Sequence, residues 1–142
     1  LRSAVGDYGK ADAPVSALRA LGFDYVAFYR IDSLAPLSVT LKVQQGETSL
    51  QMAAPMEATA DDIIGVVARS GQTRSASGQD AVTHPLVSRG RMGAVTCVPV
   101  GTTTRVGVLV GGKLASTITP DQVLVMELIS AQFAASVYKD AG

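Results

Sequence analysis

Between Thr59 and Gly112 the chain sets down one capped helix, an arginine-bearing loop and two apolar strands, and this order constrains the fold more than any other stretch. The helix is Thr59-Ala-Asp-Asp-Ile-Ile-Gly-Val-Val-Ala-Arg-Ser-Gly71. Thr59 stands where a hydroxyl can cap the first free N–H groups, and Asp61 and Asp62 fall in the first turn, where the helix dipole favours negative charge. Gly71 follows the last helical residue, as a left-handed C-terminal cap requires. Beyond the polar loop come Gly93-Ala-Val-Thr-Cys-Val-Pro-Val100 and Arg105-Val-Gly-Val-Leu-Val-Gly-Gly112, two strands joined by the hairpin-like Gly101-Thr-Thr-Thr104.

The rest of the chain supplies partners for these elements. Val15, Leu18 and Leu21 recur every third residue, which predicts a helix over 13–21 ended by Gly22. Phe23-Asp-Tyr-Val-Ala-Phe-Tyr-Arg-Ile31 is dense in aromatic and β-branched residues and reads as a central strand; with Tyr8 it holds five of the seven Phe and Tyr residues. Asp32 to Pro36 turns the chain. Leu37-Ser-Val-Thr-Leu-Lys-Val43 then alternates apolar with polar, the mark of a strand with one wet face. Residues 48–53 are expected to form a third strand, and a short one is expected around 73–77. Residues 78–92 are the least regular, with one helical turn after Pro85.

A capping box, Thr119-Pro-Asp-Gln122, opens a final helix to about residue 139. Its apolar stripe is Val123, Met126, Ile129, Phe133 and Val137, widened by Leu124, Leu128 and Ala131. The sum is an α+β layered domain spanning residues 1–142.

The helix ending Ser70-Gly71, the strand and variable loop after it, Val98-Pro99-Val100, and the Gly107-Val108-Leu109 strand together resemble the GAF family of small-molecule sensor domains. The resemblance runs from Ala17 to Tyr138. It implies a twisted antiparallel sheet of five or six strands, with the terminal helices on one face and the short helix plus loop on the other. It further implies a ligand held between the sheet and that second cover.

Twelve basic residues balance twelve acidic ones, and a nucleic-acid surface ordinarily leaves a basic excess, so no direct nucleic-acid partner is expected. No apolar run approaches the ~18 residues that cross a bilayer, and Leu1-Arg-Ser-Ala-Val-Gly-Asp-Tyr has no apolar core of a secretory signal. Cys97 is the single cysteine, so no internal disulfide forms, which fits the cytoplasm. A start at Leu1 rather than Met gives the expectation of a piece of a larger multidomain protein.

Five residues are the candidates for ligand binding: Phe28, Arg74, His84, Arg91 and Cys97. They are expected to surround a cavity between the sheet and residues 74–92. Arg69, Arg74, Arg89 and Arg91 fall in one stretch with Asp80 as its one acid, and guanidinium groups near a cleft suit a carboxylate or phosphate through paired hydrogen bonds. An anionic small molecule is the ligand they would favour; the alternative is a solvated face balanced by acids elsewhere.

Cys97 is a covalent anchor, a redox switch or a metal ligand, or else a buried structural thiol, which is far commoner. Bilin-binding relatives follow their cysteine with histidine, whereas Val98 follows Cys97. His84, the one histidine, precedes Pro85 and is expected to be extended and partly exposed; it is the sole candidate for a haem ligand. His84, Asp80 and Cys97 make no metal-ligand spacing, so no metal site is expected. Cyclic-nucleotide-binding relatives carry an Asn-Lys, Phe, Asp-Glu motif, and this chain contains no Asn.

No catalytic constellation or phosphate-cradling loop is visible, and methionine sulfoxide reduction through Cys97 would find no second thiol to resolve it. The chain is therefore read as a non-enzymatic regulatory domain. A small ligand, of identity left open and with no cofactor assigned, would signal through the terminal helices to a fused output domain, in a homodimer. The alternatives are a ligand-free dimerisation module and a redox or haem sensor using Cys97 or His84.

Overall fold

Two apolar layers enclose one sheet, and each layer is built on one of the two alternating sides of the same strands. The computed structural model describes residues 11–77, 80, 83–89, 91–101, 105–114 and 117–141. Tyr8, the link at 102–104, parts of the 78–92 loop and the side chain of Val137 lie outside the described residues.

In chain order the elements are α1 (Asp12–Ala20), β1 (Tyr25–Leu34), β2 (Leu37–Gly46), α2 (Thr48–Ala53), α3 (Ile63–Ser70), β3 (Arg74–Ser77), α4 (Pro85–Ser88), β4 (Ala94–Val100), β5 (Gly107–Lys113) and α5 (Pro120–Ala141). The five strands form one sheet in the order β2-β1-β5-β4-β3, with every neighbouring pair antiparallel. This is the expected α+β architecture.

Burial follows from position in the sheet. β1 and β5 are flanked on both sides and covered on both faces, so Tyr25 to Tyr29 and Gly107 to Gly112 are buried without alternation. On one face Val26, Phe28, Val98, Val100 and Leu109 meet Val15 and Leu18 of α1 and Met126 and Phe133 of α5. On the other, Tyr25, Ala27, Tyr29, Val95, Cys97, Val108 and Val110 meet Leu50 of α2, Ile63, Ile64 and Val67 of α3, and Leu86 and Val87 at α4. The terminal helices thus share one face and the shorter helices the other.

Three local readings change. Residues 48–53 are a helix, not a strand: the Glu47 carbonyl accepts from the N–H groups of Leu50 and Gln51, and Leu50, Ala53 and Ala54 follow helical spacing toward the core. The cap of α3 is Asp62, three residues later than Thr59: its carboxylate accepts from Gly65 N–H and from Thr59 N–H, each at 2.9 Å. His84 is extended as expected but fully buried rather than partly exposed.

Both remaining helix ends match the sequence. Gly71 closes α3 in the left-handed region at φ 72°. At α5, Thr119 N–H donates to Gln122 Oε1 at 2.8 Å and Gln122 N–H to Thr119 Oγ1 at 3.2 Å, which completes the capping box.

Candidate functional site

The layer between the sheet and α2, α3 and α4 holds the buried Asp62 and His84 together with two buried tyrosines. β1 contributes Tyr25 and Tyr29, four residues apart on the same face. The Tyr25 hydroxyl donates to Gln44 Oε1 at 2.7 Å, and the Tyr29 hydroxyl to the Pro55 carbonyl at 2.6 Å. Burial drives both phenols well above their ordinary pKa, so they remain protonated donors. β4 brings Cys97 to the same layer with no exposure, and burial, reinforced by the Asp62 carboxylate, pushes its thiol up as well.

His84 enters from the opposite side. Its extended backbone precedes Pro85, and its Nδ1 accepts from Leu86 N–H at 3.1 Å, which makes it the cap of α4. A ring nitrogen that accepts carries no proton, so the neutral imidazole bears its hydrogen on Nε2. Among the described residues that Nε2–H has no acceptor, and the buried Thr83 Oγ1 beside it in sequence has no partner either. The His84 ring stands edge-on to Tyr25, with centroids 6.5 Å apart. Burial, followed by the nearby Arg89 charge, lowers its pKa to about 4, so the imidazole is neutral near pH 7.

The segment is clasped in place. The Thr83 carbonyl accepts from Ile63 N–H at 3.2 Å at the start of α3, and Arg89 Nη1 donates to the Ala53 carbonyl at 2.6 Å. The Arg89 bond ties the end of α4 to the end of α2.

Of the five residues named from sequence, the structure brings His84 and Cys97 into one layer. Phe28 lies on the other face, its ring edge-on to Phe133 at 5.3 Å, because alternation sends it away from Tyr25, Ala27 and Tyr29. Arg74 and Arg91 are exposed, as are Arg69 and Arg89. Sequence reasoning missed Thr83, Tyr25 and Tyr29. The alternation of β1 signals that the two tyrosines share a face.

Among the described residues three surface clefts stand out, and none of the three is lined by any of the five, so the cavity expected between the sheet and residues 74–92 is not among them. One of about 520 Å³ lies between α1 and α5, bounded by Pro14, Ala17, Ile129 and Phe133. Another, of about 780 Å³, runs between α5 and the end of β4 past Gly71, Thr73 and Pro99. A third, of about 190 Å³, sits against β3 near Ser75 and Asp80. Among the described residues no three His, Cys, Asp or Glu side chains converge as a metal site, and no helix is long and apolar enough to cross a membrane.

No family model and no curated protein matches the chain. Solved structures do match it in fold. The GAF domain/HD domain protein from Geobacter sulfurreducens superposes with a TM-score of 0.71 at 16% identity, covering 90% of this chain and 89% of that one. The GAF domain of a two-component sensor histidine kinase from Bacillus halodurans gives 0.67 at 16% identity, covering 90% and 93%. A type II free methionine-R-sulfoxide reductase from Thermoplasma acidophilum gives 0.73 at 13% identity, covering 96% and 95%. The chain has the GAF fold.

Proposed function

We propose that this chain is a regulatory sensor module, in which a small molecule enters the layer between the sheet and α2, α3 and α4. The observation that carries this reading is the pair of buried, unpartnered polar atoms, His84 Nε2 and Thr83 Oγ1, with the imidazole edge-on to Tyr25 of the sheet. Leaving a buried donor unsatisfied costs about 1–3 kcal/mol, and a ligand that supplies the acceptor recovers it. Entry requires release of the clasp between Arg89 and Ala53, which makes α4 the gate.

The outgoing path is also supported. β4 presents Cys97 to the site, while its Pro99 carbonyl accepts from Ser130 of α5 on the opposite face, so a shift of β4 is felt by that helix. We assign the output to a fused domain, as in the sensor histidine kinase whose GAF domain shares this fold.

The test is a thermal-shift screen of metabolites. A specific ligand at one hundred times its dissociation constant adds about 2.7 kcal/mol of stability. A broad screen in which nothing stabilises the protein would favour the ligand-free dimerisation module, for which the exposed Leu124 and Leu128 on α5 speak.

The redox and haem readings meet physical resistance. With Nδ1 engaged by Leu86 N–H, the Nε2 that a haem iron needs is the protonated nitrogen. Cys97 is fully buried with a raised pKa, the opposite of a reactive thiolate. The same burial weighs against the reductase activity of the Thermoplasma relative, so a non-enzymatic role is retained.

A further inference from the structure

We infer that the interior site takes an uncharged molecule presenting a hydrogen-bond acceptor, an amide, lactam or ketone carbonyl, to His84 Nε2; this rests on the reading that the layer binds a ligand at all. The argument is one of charge and direction. The unfilled group at His84 is a donor, because Leu86 N–H already holds Nδ1 as an acceptor. Its partner must therefore be an acceptor. The hydroxyl of Thr83, the adjacent residue in sequence, is likewise buried without a partner and can both give and take a hydrogen bond.

An anion would find little support there. Every arginine of the loop, Arg69, Arg74, Arg89 and Arg91, is exposed to solvent. Arg89 is near enough to depress protonation of His84, but its Nη1 is spent on the Ala53 carbonyl. The buried Asp62 carboxylate belongs to the same layer, where its field reaches both Cys97 and Tyr29 and would repel a negative ligand. Moving a carboxylate or phosphate from water into such a layer is costly without a buried cation. A cation fares no better on His84, which offers it a donor. The apolar residues packed in the same layer, among them Leu50, Ile64, Leu86, Met92 and Val95, suit an apolar body. The ligand class is a compact apolar molecule with one carbonyl.

His84 is the only histidine, so nitrogen-15 labelling of histidine gives one pair of ring-nitrogen signals that report on this site alone. The probes are 2-pyrrolidinone and N-methylacetamide against acetate and inorganic phosphate. The two amides should move the Nε2–H proton downfield along saturable curves, while the anions leave it within a tenth of that shift. His84→Asn keeps an acceptor for Leu86 N–H, but its shorter amide cannot place an N–H where Nε2–H stands, and it should weaken pyrrolidinone binding at least tenfold while retaining the native circular dichroism. Thr83→Val is a second variant with the cap of α4 untouched, and should weaken it several-fold. A larger response to acetate or phosphate would overturn the uncharged class and leave the ligand reading standing. An Nε2–H signal that no probe moves, with no stabiliser found in the metabolite screen, would overturn both.

Discussion

The Ser130 hydroxyl donates to the Pro99 carbonyl at 2.7 Å, and through that bond the long C-terminal helix holds strand β4. Pro99 lacks an N–H, and it is tolerated because β3 pairs with β4 only from Ala94 to Cys97, so nothing on that side requires its donor. The sheet edge left open beyond Cys97 is where α5 gains its hold. Replacing Ser130 with Ala leaves the partly buried carbonyl without its partner and should cost about 1 kcal/mol in urea unfolding. A loss below a few tenths would show that the bond does not anchor the helix.

Stability should fall with acid through His84. Its pKa lies near 4 in the folded protein against 6.5 for the ordinary side chain, so the unfolded chain takes up a proton that the folded chain refuses. This contribution is therefore complete above about pH 6.5, declines as the pH drops toward 4, and is exhausted below it. The gap corresponds to about 3 kcal/mol. His84→Asn should flatten this limb of the stability profile; a variant that keeps the wild-type slope would remove His84 as its cause.

The cap of α3 is decided by two alanine variants. Asp62→Ala frees two N–H groups, those of Gly65 and Thr59, and should destabilise by about 1–2 kcal/mol in chemical denaturation. Thr59→Ala removes only a hydroxyl 3.4 Å from the Asp62 carboxylate and should cost far less. The reverse ranking would restore Thr59 as the cap.

Phe28 should behave as core and nothing else. Phe28→Ala is expected to lose about 3–5 kcal/mol by calorimetry, since its ring packs on Phe133 and against Gly107, where even an added Cβ would strike the Phe28 ring. Ligand affinity per folded molecule should not change. An affinity loss in the folded fraction would place Phe28 at the site after all.

Assembly is tested on α5. Leu124 and Leu128 are 55% and 57% exposed, one turn apart on α5. If the protein self-associates there as a homodimer, Leu124→Glu and Leu128→Glu should yield folded monomers in sedimentation velocity. An unmodified protein that stays monomeric at millimolar concentration would end the dimer reading.

What the sequence disclosed was periodic. The apolar run of β1, the alternation of β2, the Thr119–Gln122 box and Gly71 each announce their element through local chemistry. What it concealed depends on neighbours distant along the chain. Thr59 and Asp62 are both good caps, and only the hydrogen bonds choose between them. Alternation shows that Phe28 and Tyr29 face opposite ways without telling which helix waits on either side. His84 reads as a solvated loop residue because Pro85 follows it; its burial comes from the fold of α4 back over Tyr25. Residues 48–53 carry helical spacing too short to outweigh a strand reading.

A protein without tryptophan absorbs and emits in the near ultraviolet through tyrosine, and this one has four. Two of them, Tyr25 and Tyr29, stand in the wall that His84 faces, with their hydroxyls held by Gln44 and Pro55. A molecule bound in that layer, as proposed above, would change the polarity around both rings and the geometry of both phenolic bonds. The proposed site would then carry its own optical label, and its filling could be followed in the unmodified protein without a dye, a tag or a substitution.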